Sequence, residues 1–226
     1  MATQIYNDTV TIASANKQTT NTNIYNLFSR YSNKFTYDST NNEIIFNNML
    51  VLSFSDGGSW ATGNVKIMSL DRSTTYVSYQ QYRDTYTIRV KIIITDHSFM
   101  FYNMDTTYSS DFGPFWLVLY LKDASSCYAG LSYRGNNAID SITNFVNINT
   151  LAPVTSYSIQ KISTKALNSP YILFTTACML INSGGDFALL EDFRSCSPIL
   201  ALSTVSINNK NYFAVGTNTL IEAPAS

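Results

Sequence analysis

The most regular pattern in the chain runs from Tyr86 to Lys122. In Tyr86–Thr95, Tyr86, Ile88, Val90, Ile92 and Ile94 fall on one face, and Thr87, Arg89, Lys91, Ile93 and Thr95 on the other. A period of two rich in β-branched residues predicts a half-buried strand. Asp96-His97-Ser98 supplies turn chemistry, and Ser98–Met104 is the expected antiparallel partner. After a polar loop, Gly113-Pro114 opens Phe115–Leu121, which is apolar on both faces and so predicts a strand covered on both sides. The wet face of Tyr86–Thr95, carrying Arg89 and Lys91, predicts an exposed sheet or a position near an edge. The second face of Phe115–Leu121 needs a cover, either the segments Ile24–Tyr31 and Ile139–Val146 or a neighbouring subunit.

Alternation of this kind recurs along the chain. Phe35–Tyr37, Glu43–Phe46 and Met49–Phe54 read as a meander. Its turns are Asp38–Asn42 and Asn47-Asn48, the latter a pair that tolerates positive φ. Trp60–Met68, Cys127–Tyr133 and Tyr157–Ile162 are further strand candidates, and Tyr171–Ile181 is a second run apolar on both faces. Thr204–Ile207, Tyr212–Gly216 and Thr219–Glu222 predict two terminal hairpins of short strands.

Four stretches leave alternatives open. Residues 1–22 read as an N-terminal arm with a strand at Thr9–Ala13 and a polar tether at Asn16–Thr22. That strand either joins a neighbour's sheet or packs on its own domain. Thr22 is placed to cap a short helix carrying Ile24, Leu27, Phe28 and Tyr31, with an irregular segment as the alternative. Ile139, Ile142, Phe145 and Val146 suit a short helix or an insertion loop. Phe187, Leu190 and Phe193 suit a loop or a single helical turn. The expected architecture is all-β and mainly antiparallel: a sandwich or jelly-roll-like domain over 23–226, preceded by the arm and containing one or two short helices.

Composition sharpens the picture. Charged residues make up 13% of the 226 and the formal net charge is −1, so the polar surface is made from Asn, Ser and Thr, roughly a third of the chain. Such a surface does not repel copies of itself. Its scattered Lys and Arg argue against nucleic-acid binding, which needs clustered cations. Cys127, Cys178 and Cys196 form no Cys-x-x-Cys pair, and with His97 the single histidine no zinc set is expected. The cysteines read as reduced, buried thiols. No cofactor is implied. The N-terminal residues lack the basic start and apolar core of a Sec signal, and no apolar run reaches the roughly 18 residues of a membrane helix.

Candidate chemistry is sparse. A Ser-His-Asp triad would have to use His97, which sits in a turn beside Asp96. Glu191-Asp192 with Asp186 is the densest acidic group, and a glycan hydrolase centred on Glu191 is the one enzymatic reading it allows. Neither makes a convincing catalytic set, and the expectation is a non-enzyme. Tyr76, Tyr79 and Tyr82, spaced by three, form a helical stripe or a strand and loop displaying tyrosines. With Trp116 and Tyr120 they are the candidate interface or ligand contacts, because rigid rings cover area at low entropic cost.

The polar β-arm Thr9–Ala13, the compact hairpins from Phe35 to Phe54 and the C-terminal Asn211–Glu222 together resemble accessory virion proteins of tailed bacteriophages. Those are capsid decoration, neck or tail, and fibre or receptor-binding components. The resemblance implies a homo-oligomer that folds in the host cytoplasm, joins other virion proteins and leaves by lysis. A fibre or tail module binding a host surface glycan is the alternative.

Overall fold

In the computed structural model the described residues are 3–13, 16–54, 63–82, 85–104, 115–124, 126–131, 144–147, 159–160, 173–180, 187–196, 199–207, 209–217 and 219–224. They form an all-β, antiparallel, sandwich-like fold with a single helix, built from three sheets.

Strand β1 (Gln4–Ala13) leads into helix α1 (Lys17–Tyr31). A meander follows: β2 (Phe35–Asp38), β3 (Glu43–Phe46), β4 (Leu50–Phe54), β5 (Gly63–Met68) and β6 (Thr75–Tyr82). It makes a five-stranded sheet in sequence order. The chain then runs through β7 (Thr85–Ile94), β8 (Ser98–Asn103), β9 (Phe115–Asp123), β10 (Ser126–Leu131) and β11 (Asn144–Asn147), and this second meander takes β1 on its outer side as the order β1-β7-β8-β9-β10-β11. The third sheet holds β12 (Ile159–Gln160), β13 (Leu173–Leu180), β14 (Phe187–Cys196), β15 (Thr204–Ile207), β16 (Lys210–Ala214) and β17 (Thr219–Glu222), in the order β12-β13-β14-β17-β16-β15.

The β1–β7–β8–β9–β10–β11 sheet is the central layer. On one face Ile88, Val90, Ile92, Phe99, Phe101, Phe115, Leu117 and Leu119 share a buried cluster with Phe35, Phe46, Leu52, Phe54 and Ile67 of the five-stranded sheet and Ile24, Leu27 and Phe28 of α1. On the other face Ile93, Met100, Tyr102, Trp116, Val118 and Tyr120 pack against Phe193, Phe213, Val215 and Ile221 of the C-terminal sheet. Strands apolar on both faces must be covered twice. For Phe115–Leu121, α1 and the first sheet cover one side and the C-terminal sheet covers the other, so the missing cover comes from within the chain.

Three sequence expectations change. The polar segment Asn16–Thr22 is the first part of α1: Asn16 is the N-cap, its Oδ1 accepting from Thr19 N at 2.9 Å. Thr20 and Asn21 are fully buried there because their polar atoms are satisfied. Thr20 Oγ1 donates to Ala13 O at 2.9 Å, and the Asn21 amide bonds both the O (2.6 Å) and the N (2.8 Å) of Phe54. The segment Phe187–Phe193 lies in the ten-residue strand β14, and Phe145 and Val146 lie in β11, neither being helical; residues 139 and 142 are outside the described set. The strand at the N-terminus is longer than Thr9–Ala13, and it lies on its own sheet, Gln4 opposite Ile94 through Ala13 opposite Thr85.

The turns use residues that tolerate left-handed backbone. Asn47 (φ 48°) and Asn48 (φ 52°) sit between Phe46 O and Met49 N, which bond at 2.9 Å, a geometry that matches strand twist in a tight hairpin. Asn42 and Asn209 do the same at other turns, with φ 53° and 61°. The half of β7 expected to be wet divides in two. Thr87 and Arg89 are exposed, Lys91 is partly covered with its Nζ 5.5 Å from the Phe213 ring centroid, and Ile93 is fully buried.

Phe28 meets aromatic rings from β2, β4 and β8 on its side of the core. Its ring centroid lies 4.9 Å from Phe35, 6.1 Å from Phe54, 4.8 Å from Phe99 and 5.4 Å from Phe101, at tilted or edge-on angles that suit the aromatic quadrupole. Phe28→Ala should lower unfolding stability by about 3–5 kcal/mol, measured by denaturant titration. Tyr25→Ala, on the helix rim, should lose clearly less, and equal losses would show that Phe28 is not the hub.

Candidate functional site

The densest set of polar contacts between layers is at the β7–β8 turn. The hairpin closes through Thr95 N to Ser98 O at 3.0 Å, and Ser98 N donates to Thr95 Oγ1 at 2.8 Å. Asp192 of β14 enters this turn from the C-terminal sheet. Its Oδ2 accepts from Ser98 Oγ at 2.9 Å, from His97 N at 3.1 Å and from Thr95 Oγ1, and its Oδ1 lies 3.0 Å from His97 Nδ1.

Strand alternation alone would not send Asp192 and its neighbour Phe193 toward the same layer. Pairing with β13 supplies the reason. Ala177 faces Leu190, yet the next paired residue, Thr176, faces Arg194, so Glu191, Asp192 and Phe193 form a bulge with no opposite residues on β13. A bulge re-aims side chains. Phe193 enters the core, 6.5 Å from the Tyr120 ring, and Asp192 reaches the turn. The carboxylate is 11% exposed and the imidazole 32%.

The arrangement clamps a turn. In a triad the nucleophile donates to the imidazole and the carboxylate orients the imidazole from behind. Here both hydroxyls, Thr95 Oγ1 and Ser98 Oγ, donate to the carboxylate itself. Asp192 is thus the common acceptor of both hydroxyls and of the His97 backbone. The Glu191 side chain and Asp186 lie outside the described set.

A second polar group braces the far end of the five-stranded sheet. Glu43 is buried and takes Lys17 Nζ at 2.7 Å and Arg72 Nε at 2.5 Å, while Arg72 also pairs with Asp38. The Arg72 guanidinium is raised above its usual range, first by its hydrogen bond to Glu43. Its left-handed backbone (φ 62°) turns the side chain back over that sheet. In the same loop Asp71 is held at about 2, chiefly by the Ser69 hydroxyl. These charges tie α1, the β2–β3 turn and the β5–β6 turn together. Among the described residues no three His, Cys, Asp or Glu are grouped as a metal site, and no helix is long and apolar enough to cross a membrane.

The aromatic candidates separate. Trp116 and Tyr120 are core residues, 0% and 2% exposed, so they offer a partner no surface. Trp116 stacks on Tyr102 with centroids 4.5 Å apart. Tyr102, in turn, is pushed up to about 12 by burial, as is the Cys127 thiol. The tyrosine triplet lies on a strand, β6, and not on a helix, and the register of that strand against β5 shifts near both of its ends. Tyr76 is partly buried against the core, with its phenol raised by desolvation and its buried Oη lacking a hydrogen-bond partner among the described residues. Tyr79 pairs with Val65 and Tyr82 with Gly63 through the backbone of β5. The side chains of these two are outside the described set.

Asp192→Ala should strip four donors of their acceptor and lower stability by roughly 2–4 kcal/mol, since buried unpaired donors are costly. Denaturation followed by far-UV circular dichroism is the measurement. A loss within about 0.5 kcal/mol, the range of ordinary surface changes, would show that the clamp holds nothing.

Comparison with protein-family models, with curated proteins and with solved structures gave no match.

Proposed function

We propose that the chain is a non-enzymatic structural and assembly protein of a virion, such as a capsid decoration, neck or tail component, that works through subunit contacts. One observation carries this reading: among the described residues, the imidazole and the buried carboxylates are spent inside the fold. The single imidazole and its nearest carboxylate clamp one layer to another, and the buried Glu43 is neutralised by Lys17 and Arg72. A surface of neutral amides and hydroxyls at a net charge of −1 suits contact without mutual repulsion. Partners under this reading are other copies and other virion proteins, and the chain would fold in a host cytoplasm and reach its place by assembly.

Mass spectrometry of purified, nuclease-treated particles from the source should find the chain at a fixed stoichiometry that survives high salt. Absence from particles made while the chain is abundant in the lysate would overturn the reading.

The alternative, a receptor-binding module that takes a host surface glycan, is favoured by the place of β6, which carries Tyr76, Tyr79 and Tyr82, as the last strand of its sheet. Glycan-array binding lost in Tyr79→Ala and Tyr82→Ala would move the assignment there; a blank array removes it.

A further inference from the structure

Sheet edges are where a β protein must either block or accept another strand. Among the described strands at sheet edges, the ten-residue β1 is the longest. Its backbone groups can be assigned to sides. Arg89 O accepts from Met104 N at 2.9 Å, on the β8 side of β7, so Arg89 does not bond its partner Thr9. In an antiparallel ladder such non-bonded pairs alternate with bonded ones. The even residues of β1 therefore bond β7, and the odd residues turn their N–H and C=O outward.

The outward groups are treated differently along the strand. At its C-terminal end, each outward residue has at least one of them occupied by a dedicated side chain. Thr9 N donates to Asp8 Oδ1 at 2.7 Å, Thr11 O accepts from Asn23 Nδ2 at 3.0 Å, and Ala13 N donates to Thr20 Oγ1 at 2.8 Å. Asp8 is itself held by Arg30 at 3.0 Å and by the Tyr31 hydroxyl at 2.8 Å, so α1 seals this half. At the N-terminal end, the outward groups of Thr3, Ile5 and Asn7 have no such cap among the described residues. The seal stops at Thr9.

We infer that the open end of β1 is an interaction surface for a second copy of this chain, joined by antiparallel pairing across a two-fold axis at Ile5. The seal itself selects the register. With Ile5 opposite Ile5 of the second copy and Thr3 opposite Asn7, the outward groups of Thr3, Ile5 and Asn7 are all used and no capped one is needed. Each bonded pair exchanges two hydrogen bonds, giving about six in all. The segment Thr3-Gln-Ile-Tyr-Asn7 holds no acidic or basic side chain, so the copies meet without like-charge opposition. The two central sheets become one continuous sheet. This names one partner for the assembly reading and rests on that reading for its biological role, though the geometry stands without it.

The test uses proline. Asn7→Pro removes an outward N–H that β7 does not use, a position where an edge strand tolerates proline. Asn7→Ala keeps the N–H and loses the Lys91 Nζ contact to Asn7 Oδ1 at 2.7 Å. By sedimentation equilibrium the natural chain and Asn7→Ala should dimerise at concentrations up to about 100 µM, and Asn7→Pro should raise the dissociation constant at least tenfold with an unchanged melting curve at concentrations where the natural chain is monomeric. Should Asn7→Pro fold poorly, Thr3→Pro removes the other hydrogen bond of the same Thr3–Asn7 pair and should weaken the dimer alike. A monomeric natural chain, or a dimer indifferent to both prolines, overturns the inference. Particles that incorporate Asn7→Pro normally would sink the edge contact while leaving the virion assignment intact; a proline-sensitive dimer absent from particles would do the reverse.

Discussion

A sheet whose strands are apolar on both faces cannot exist alone in water, and the central sheet here is such a sheet. Trp116, Val118 and Tyr120 point one way from β9, and Phe115, Leu117, Leu119 and Leu121 the other, all of them buried. At about 25 cal/mol per Å² of apolar surface, leaving either face bare would forfeit much of the driving force for folding. The chain order follows from that need. The first meander is inserted between β1 and β7, so the strands that flank it in sequence lie side by side beneath it, and the last third of the chain returns over the opposite face.

What a three-layer stack needs next is a way to fix layers against one another, because apolar contact is non-directional. A few polar side chains supply it. Asn21 bonds both backbone groups of Phe54 as a neighbouring strand would, seating α1 against β4. Glu43 gathers Lys17 and Arg72 from two other elements. Asp192 joins the outer sheet to the β7–β8 turn. Each is buried or nearly so, and each has its bonds satisfied, the condition under which a polar group in a core specifies geometry instead of weakening it.

Much of this was legible in the sequence where one physical signal dominated. The alternation of Tyr86–Thr95, the double-faced run Phe115–Leu121 and the asparagine turn Asn47-Asn48 were all readable, because pleat and left-handed backbone leave local traces. Other features were not local. The start of α1 was hidden since Thr20 and Asn21 are buried by hydrogen bonds, and no apolar period marks them. Strand β14 reads from sequence as a loop or a single helical turn because its bulge breaks the period of two at Glu191–Phe193. The pairing of Asp192 with His97 spans 95 residues, and nothing at either end announces the other. Trp116 and Tyr120 looked like contact residues because aromatic rings suit interfaces and cores for the same reason, area at low entropy.

The same low charge that made the sequence chemically silent also governs the edges. Many β proteins defend an exposed edge with lysine or with an inward charge. This chain has few charges, and several of them serve inside the fold. Its edge defence is instead built from the short polar side chains that dominate its composition: Asp8, Thr20 and Asn23 reach β1 from the strand itself and from α1. Such caps act one backbone group at a time, where a lysine would discourage approach along a whole stretch. A seal made of single bonds can therefore end at a chosen residue. On β1 it ends at Thr9, where the C-terminal end of α1 holds Asp8, and the position of that helix decides how much of the edge stays open.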